Sequence, residues 1–416
     1  MKALVNVSIY DYAHYIPRGY VIFDEKIIEA GPMADFREDS LPLVDGGGRL
    51  LIPGLINFHT HIYSMFIRGF NLGASPKTFQ DILDKLWWKL DSHLTLEDLE
   101  ASAYHYGIES LKSGVTALID HNASGAVTGS LKAIEKGLEP LKIRSLLCFE
   151  TSDRFDVSQA IGENDRPHFG LHASMSLSEE TLDRVSRVLR GRPVHVHVAE
   201  SREDVQDARL KYGKPPVKRF HDKGLLNPDA LLVHCVHIGE EEAALIKAAG
   251  AWVALNPASN MNNAVGTFDY GRFRRHGIPL LAGTDGLGAD VAGSWRNIFY
   301  VGKQSLKDPS GIALQEIQDY ILASYRYFNR LKGTRLGKIA PGYDADFLLI
   351  DYLPPTPMTP ENAFGHLFYG VFESLKPASV YLFGEALIED YQFKGESRNY
   401  TDTVELLWQR LEEARE

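Results

Sequence analysis

The pattern of apolar and polar positions changes character twice along the chain. Up to about Val44 it gives short runs: residues 2–9 are apolar with polar interruptions, and 19–23 and 26–31 flank Asp24-Glu25 as a hairpin pair. Gly46-Gly47-Gly48 then breaks the chain. From Leu51 to about Ile278 the pattern becomes strand, loop and helix in repetition. An opening apolar strand runs from Leu51 into His59-Thr60-His61, and further strands are predicted at 115–120, 143–150, 168–173, 194–198, 231–235, 252–256 and 279–283. Helical stretches between them include 96–113, 177–190, 205–223 and 240–249. Eight strands alternating with helices over about 250 residues predict parallel βαβ units closed into an α/β (β/α)8 TIM-like barrel. An open doubly wound sheet is the alternative, weakened by the absence of Gly-x-Gly-x-x-Gly after an early strand. Closing helices at 294–307 and 312–331 lead into a strand at 347–351 and a hairpin at 380–388, so the chain ends in β structure as it began. The predicted organisation is a small β-sandwich domain built from residues 1–50 and 336–400, the barrel over 51–335 inserted between them, and a C-terminal helix over 401–416.

Composition narrows the function. An apolar fraction of 44% with 11% aromatics supplies a large core, and a net charge of −11 without any Lys/Arg block argues against nucleic acid as a partner. No apolar run reaches the roughly 18 residues of a membrane helix, and no apolar h-region with a small-residue cleavage site follows Met1. Cys148 and Cys235 form no disulfide framework and lack the spacing of a cysteine-based zinc site, which fits a reducing, cytoplasmic setting.

Active sites of such barrels sit at the C-terminal ends of the strands. Alternation points His59 and His61 to one face of strand one, His197 ends strand five, His234 ends strand six and Asp285 follows strand eight. Imidazoles and a carboxylate converging from four strand ends are the donors of a metal site. His195 shares the face of His197 one layer deeper and is read as a packed or supporting histidine. Thr60 falls on the opposite face and is expected to be replaceable. Glu200 lies three residues past His197, so it belongs to the loop and not to the strand's alternation. Strands three and four offer no evident bridging carboxylate, so a second metal is not expected.

This constellation resembles the amidohydrolase superfamily, in its one-metal deaminase and chlorohydrolase-like branch, over nearly the whole chain. Ala340-Pro341-Gly342-Tyr343-Asp344-Ala345-Asp346 is typical of that family's accessory β domain. Leu86-Trp87-Trp88-Lys89-Leu90-Asp91, Cys148-Phe149-Glu150-Thr151-Ser152-Asp153-Arg154 and Ser259-Asn260-Met261-Asn262-Asn263 carry a narrower likeness to SsnA-like aminohydrolases. The resemblance implies one divalent metal per chain, zinc by default and iron or manganese by tolerance of the same donors, held by His59, His61, His197 and Asp285. It implies an aminohydrolase that attacks a C–N bond of a small nitrogen heterocycle or amidine with metal-activated water. Asp285 takes the water's proton, Glu200 shuttles protons as the Glu of a His-x-x-Glu signature, and His234 polarises the attacking water or leaving group without binding the metal.

His172, Asn260, Arg68 and His121 are expected substrate contacts. Arg68 alternatively serves as a salt-bridge partner and His121 as a loop cap, while Trp87 and Trp88 are pocket wall or plain core. Many relatives have His before the Asn-Pro that follows strand seven, where this chain has Leu255-Asn256-Pro257. Chlorohydrolase or cyclic-amide hydrolase chemistry, or a catalytically silent scaffold, are the alternatives. The expected partner is a small molecule, with neither membrane nor nucleic acid, and relatives suggest a homo-oligomer, a dimer.

Overall fold

The computed structural model describes residues 1–37, 40–71, 73 and 75–414. Five strands open the chain: β1 (Lys2–Tyr10), β2 (Tyr15–Phe23), β3 (Ile27–Pro32), β4 (Leu43–Asp45) and β5 (Leu50–Pro53). Eight more alternate with helices: β6 (Leu55–Thr60), β7 (Val115–Asn122), β8 (Arg144–Phe149), β9 (Phe169–Ala173), β10 (Val194–Val198), β11 (Leu231–His234), β12 (Trp252–Leu255) and β13 (Leu280–Ala282). The chain returns to β structure with β14 (Phe347–Ile350), β15 (Ser379–Leu382), β16 (Glu385–Glu389) and β17 (Gln392–Phe393). A final helix spans Thr401–Glu413, and the predicted residues 415 and 416 of it lie outside the described residues.

The middle strands are parallel and form two arcs, β6-β7-β8 and β9-β10-β11-β12-β13. One bridge joins the arcs at each seam. Thr151 donates its N–H to Gly170 and accepts from His172, at 3.1 and 3.0 Å, and Thr284 and Asp285 both donate to the His59 carbonyl, at 2.9 and 3.0 Å. Helices cover the outside, so both faces of these strands are buried and the strands read as continuous apolar runs. In β10 every residue of Val-His-Val-His-Val is buried.

Strands from the two chain ends share one nine-stranded sheet, in the order β17-β16-β15-β14-β5-β1-β2-β3 with β4 on β1. The sheet curls until its wings face each other: Phe23 of β2 meets Phe347 and Tyr381, ring centroids 5.1 and 5.7 Å apart. Leu4, Val7, Val21, Leu51 and Leu349 fill the space between, giving a sandwich made from a single sheet.

Two expectations are corrected. The apolar run at 51–61 is not one strand. Its first part, β5, pairs antiparallel with β14 in the end sheet, and only β6 belongs to the barrel. Pro53 lacks an N–H, and Gly54 passes so close to Thr116 that a Cβ would lie 2.1 Å from its hydroxyl, so the chain changes sheets there. The predicted helix at 205–223 is two helices, Arg202–Tyr212 and Pro216–Asp222. Gly213 adopts a left-handed φ of 68° as the first helix ends, and Pro216 starts the second at the position where its missing N–H is harmless.

Candidate active site

The strand ends bring His59, His61, His197 and Asp285 together at one mouth of the barrel. His61 Nε2 lies 3.0 Å and His59 Nε2 3.4 Å from Asp285 Oδ1, and His197 Nε2 is 3.2 Å from His59 Nε2. A tetrahedral ion with bonds near 2.0–2.1 Å needs donors about 3.3 Å apart, so the spacing suits such an ion. The orientation of the rings suits it too. His61 donates Nδ1–H to the His121 carbonyl at 2.7 Å, and His59 Nδ1 is held by His195 Nε2 at 2.9 Å, which turns the other nitrogen of each ring toward the cluster. Burial lowers the His59 pKa to about 3, leaving a neutral donor. Burial also opposes charge on His61, but Asp285 and Glu150 outweigh it and raise the pKa to about 10, so the cluster as built calls for positive charge. Asp285 is penalised by burial, yet its contacts with His59 and His61 hold it well below the usual carboxylate range. His121 and His234 also come within reach: one donor atom each from His59, His61, His121 and His197, and one each from His59, His197, His234 and Asp285, lie within 4.8 Å of one another. A further buried group, His121, Cys148 and His195, shares His121 with the first and lies beneath.

Glu200 reaches the cavity because the backbone departs from strand geometry just before it. Ala199 has φ 48°, and left-handed φ values recur at His234 (69°), Cys235 (51°) and Asp285 (56°). Each such non-glycine conformation costs about 1 kcal/mol or more, and these four fall at or just past the ends of β10, β11 and β13, beside the cluster. The kink at Ala199 is fixed by its N–H bond to Asp204 Oδ2 at 2.9 Å. Glu200 Oε2 thereby sits 3.4 Å from His234 Nε2, and Asn263 Nδ2 donates to Oε1 at 3.4 Å. Burial and the Asp285 charge raise the Glu200 pKa well above the carboxylate range. Asn260 Nδ2 donates to His234 Nδ1 at 2.9 Å, which puts the ring proton on Nε2, facing Glu200 and Asp285. Ser259 Oγ donates to Asp285 Oδ2.

His61, His197, Glu200, Ser259, Asn263 and Asp285 line a cleft of about 760 Å³ that opens to solvent. Of the expected substrate contacts, the structure brings only His172 to it, with Nδ1 held by Ser176 Oγ at 2.6 Å. Arg68 points away: its guanidinium donates to both oxygens of Glu109 at 2.9 Å, and its side chain is 60% exposed. Asn260 is turned onto His234, because the helix Pro257–Asn262 presents Ser259 and the following Asn263 to the cleft instead. His121 lies behind the lining, fully buried, its ring stacked 4.3 Å from His195. Trp87 and Trp88 are pocket wall. Sequence reasoning missed Asp91 and Glu150. Glu150 directly follows β8 and is only 2% exposed, so strand three does supply a buried carboxylate, contrary to expectation. Applying to strand three the strand-end rule that found His197 would have found it.

Thr60 is also not the free position that alternation suggested. Its outward face packs beneath the helix Leu96–Lys112, where Thr60 Oγ1 donates to Tyr106 OH at 2.6 Å. Tyr106 OH donates to Gly288 O at 2.7 Å and accepts from Asn57 Nδ2 at 3.1 Å. This network braces the loop carrying Asp285 from outside the barrel. Thr60→Val keeps the shape, removes the hydroxyl and strands its partners. It is expected to lower unfolding free energy by about 1–3 kcal/mol, read as a shift in the urea midpoint.

The final helix clips both ends of the segment that walls the cleft. Trp408 Nε1 donates to Phe66 O at 2.7 Å, and Arg410 Nε donates to His93 O at 3.2 Å. Between these anchors lie Phe79, Leu83, Trp87, Trp88 and Asp91, all facing the cleft. Trp408→Ala is expected to leave metal content unchanged and lower kcat/KM by up to about 10²-fold, through misplacement of that wall. Steady-state kinetics with parallel metal analysis checks this.

Among the described residues no helix is long and apolar enough to cross a membrane. A protein-family profile described as the amidohydrolase family matches residues 50–387. The chain is 27% identical over 416 residues to a 5-methylthioadenosine/S-adenosylhomocysteine deaminase of Syntrophomonas wolfei, covering 94% of each protein. It is 26% identical over 397 residues to a 5'-deoxyadenosine deaminase of Methanosarcina mazei, covering 89% of this chain and 88% of that protein. Its fold is similar to that of a zinc-bound adenosine deaminase from Xanthomonas campestris, with TM-score 0.81, 21% identity and coverage of 99% and 98% of the two chains. It is similar also to the zinc complex of an atrazine chlorohydrolase from Arthrobacter aurescens, with TM-score 0.79, 18% identity and coverage of 99% and 100%. The strand-end donors, the aimed carboxylate and a profile match over most of the sequence lead to one assignment: the chain belongs to the amidohydrolase family of hydrolases.

Proposed function

We propose that this hydrolase is an aminohydrolase, releasing ammonia from a C–N bond of a small nitrogen heterocycle or amidine, with one divalent ion held by His59, His61, His197 and Asp285. Three imidazoles and a carboxylate suit zinc, and would tolerate iron or manganese; both fold neighbours described above are zinc complexes. The reading is carried by one observation: Glu200, His234 and Asp285 converge beside the donor cluster, Glu200 Oε2 being 3.4 Å from His234 Nε2. The relatives named as deaminases support it.

When bound, the ion supplies Lewis-acid chemistry that lowers the pKa of water toward neutrality. Asp285, held ionised, accepts the proton that the water loses on attack. Glu200, kept protonated by burial beside Asp285, delivers a proton to the ring nitrogen next to the reacting carbon. His234 Nε2–H steadies the developing negative oxygen. Glu200, now ionised, takes the remaining proton from the new hydroxyl and gives it to the amine, so that the C–O bond becomes C=O, C–N breaks and ammonia leaves, and the proton held by Asp285 restores Glu200. Ammonia needs that proton and chloride does not, which favours deamination over the chlorohydrolase reading. Both cysteines are buried and unpaired, in keeping with a reducing, cytoplasmic setting. The homodimer rests on the resemblance and is tested by light scattering.

The activity test is a panel of aminopurines, pterins, cytosine-like compounds and aminotriazines assayed for ammonia. One ammonia per substrate consumed is expected. Chloride release from a chlorotriazine without any ammonia from the panel would favour the second reading, and a metal-free chain inert to added zinc or manganese would indicate a scaffold.

A further inference from the structure

The proposed reaction leaves one buried carboxylate without a task. Glu150 is 2% exposed, and its Oε1 has no hydrogen-bond partner. Its neighbours are imidazole nitrogens: His121 Nδ1 at 3.3 Å, His61 Nδ1 at 3.4 Å and, from Oε2, His172 Nε2 at 3.8 Å. The His61 nitrogen is already spent on the His121 carbonyl. Asp91, equally buried, accepts from Arg154 Nη1 at 2.9 Å through Oδ2. Both carboxylates line the cleft with Phe79, Trp87 and Trp88, and no Lys or Arg is among the described lining residues. A buried carboxylate is costly unless a cation or several donors meet it.

A second divalent ion fits poorly. His61 Nδ1 is taken, and His197 Nε2 faces His59 Nε2 at 3.2 Å. One donor each from Glu150, His172 and His197 lies within 4.8 Å of the others, but His197 already serves the first cluster, and the two donors left over, Glu150 and His172, are few for a site held by protein. A flat organic cation fits better, with a carboxylate to receive its N–H bonds and aromatic faces beside it. We propose that the cleft selects a planar nitrogen heterocycle bearing a second, non-reacting cationic group of amidinium or guanidinium type, received by Glu150. This rests on the cleft being the active site of the hydrolase described above.

The test is an isosteric series, benzamidine, benzamide and benzoate, titrated calorimetrically into the metal-loaded protein and its Glu150→Gln variant. Benzamidine is expected to bind at least tenfold more tightly than benzamide, with benzoate weakest. Glu150→Gln should erase that preference while leaving benzamide affinity and metal content unchanged, and Glu150→Asp, which keeps the charge, should retain it. Equal binding of benzamidine and benzamide, or tighter binding of benzoate, overturns the proposal. So do two ions per chain that fall to one in Glu150→Gln. Should that variant fail to fold, the series on the unaltered protein decides alone. A protein that binds its ion and releases ammonia but shows no preference for benzamidine defeats this inference only. Absence of both metal and turnover defeats the reading beneath it.

Discussion

Glu200→Gln is expected to retain the fold and the metal and to lose about 10²–10⁴-fold in kcat. Gln has the same shape as Glu, and its amide oxygen can still accept from Asn263 Nδ2 or from His234 Nε2–H, the polar neighbours of Glu200 at 3.4 Å. What it cannot do is give up and regain a proton. Glu200 is not in the donor cluster, so metal content should be unaffected. Substrate affinity should change little, because the lost step belongs to the transition state. A variant with normal turnover would remove Glu200 from the mechanism. One that loses metal as well would move it into the metal site.

The second large effect separates the donors from their support. His59→Ala and His61→Ala each delete a nitrogen that faces Asp285 Oδ1, at 3.4 and 3.0 Å, and are expected to abolish metal retention and turnover together. His195→Ala removes a group one layer deeper. It holds His59 Nδ1 at 2.9 Å and touches Cys148 Sγ at 3.4 Å. Losing such an orienting partner weakens metal affinity by about 10–100-fold without removing a donor. Metal analysis after dialysis against graded chelator should rank the variants in that order. Equal loss in all three would make His195 a ligand.

The features legible in the sequence were those that follow a fixed period. The alternation of helix and strand placed β7 through β13 within a residue or two, and the strand-end rule collected His59, His61, His197, His234 and Asp285. What escaped depends on contacts distant in sequence or on broken periodicity. An apolar run cannot say which sheet it joins, so the change of sheet at Gly54 was invisible. Strict alternation misjudged Thr60, because in a barrel covered by helices the outward face is also buried, here against Tyr106. Glu200 itself was named in the sequence through the resemblance, but the left-handed turn at Ala199 that brings it into the cleft has no local signature. Arg68 is claimed by Glu109, 41 residues away, and no pattern around Arg68 announces that pairing. Glu150 was legible and passed over.

X-ray absorption at the zinc edge of the zinc-loaded protein tests the central claim most directly. The donor cluster predicts a shell of N and O atoms only, at about 2.0–2.1 Å, with the outer scattering of three imidazoles. The rival cluster of His121, Cys148 and His195 would add sulfur at about 2.3 Å. A sulfur in the first shell, or fewer than three imidazoles, would contradict the account.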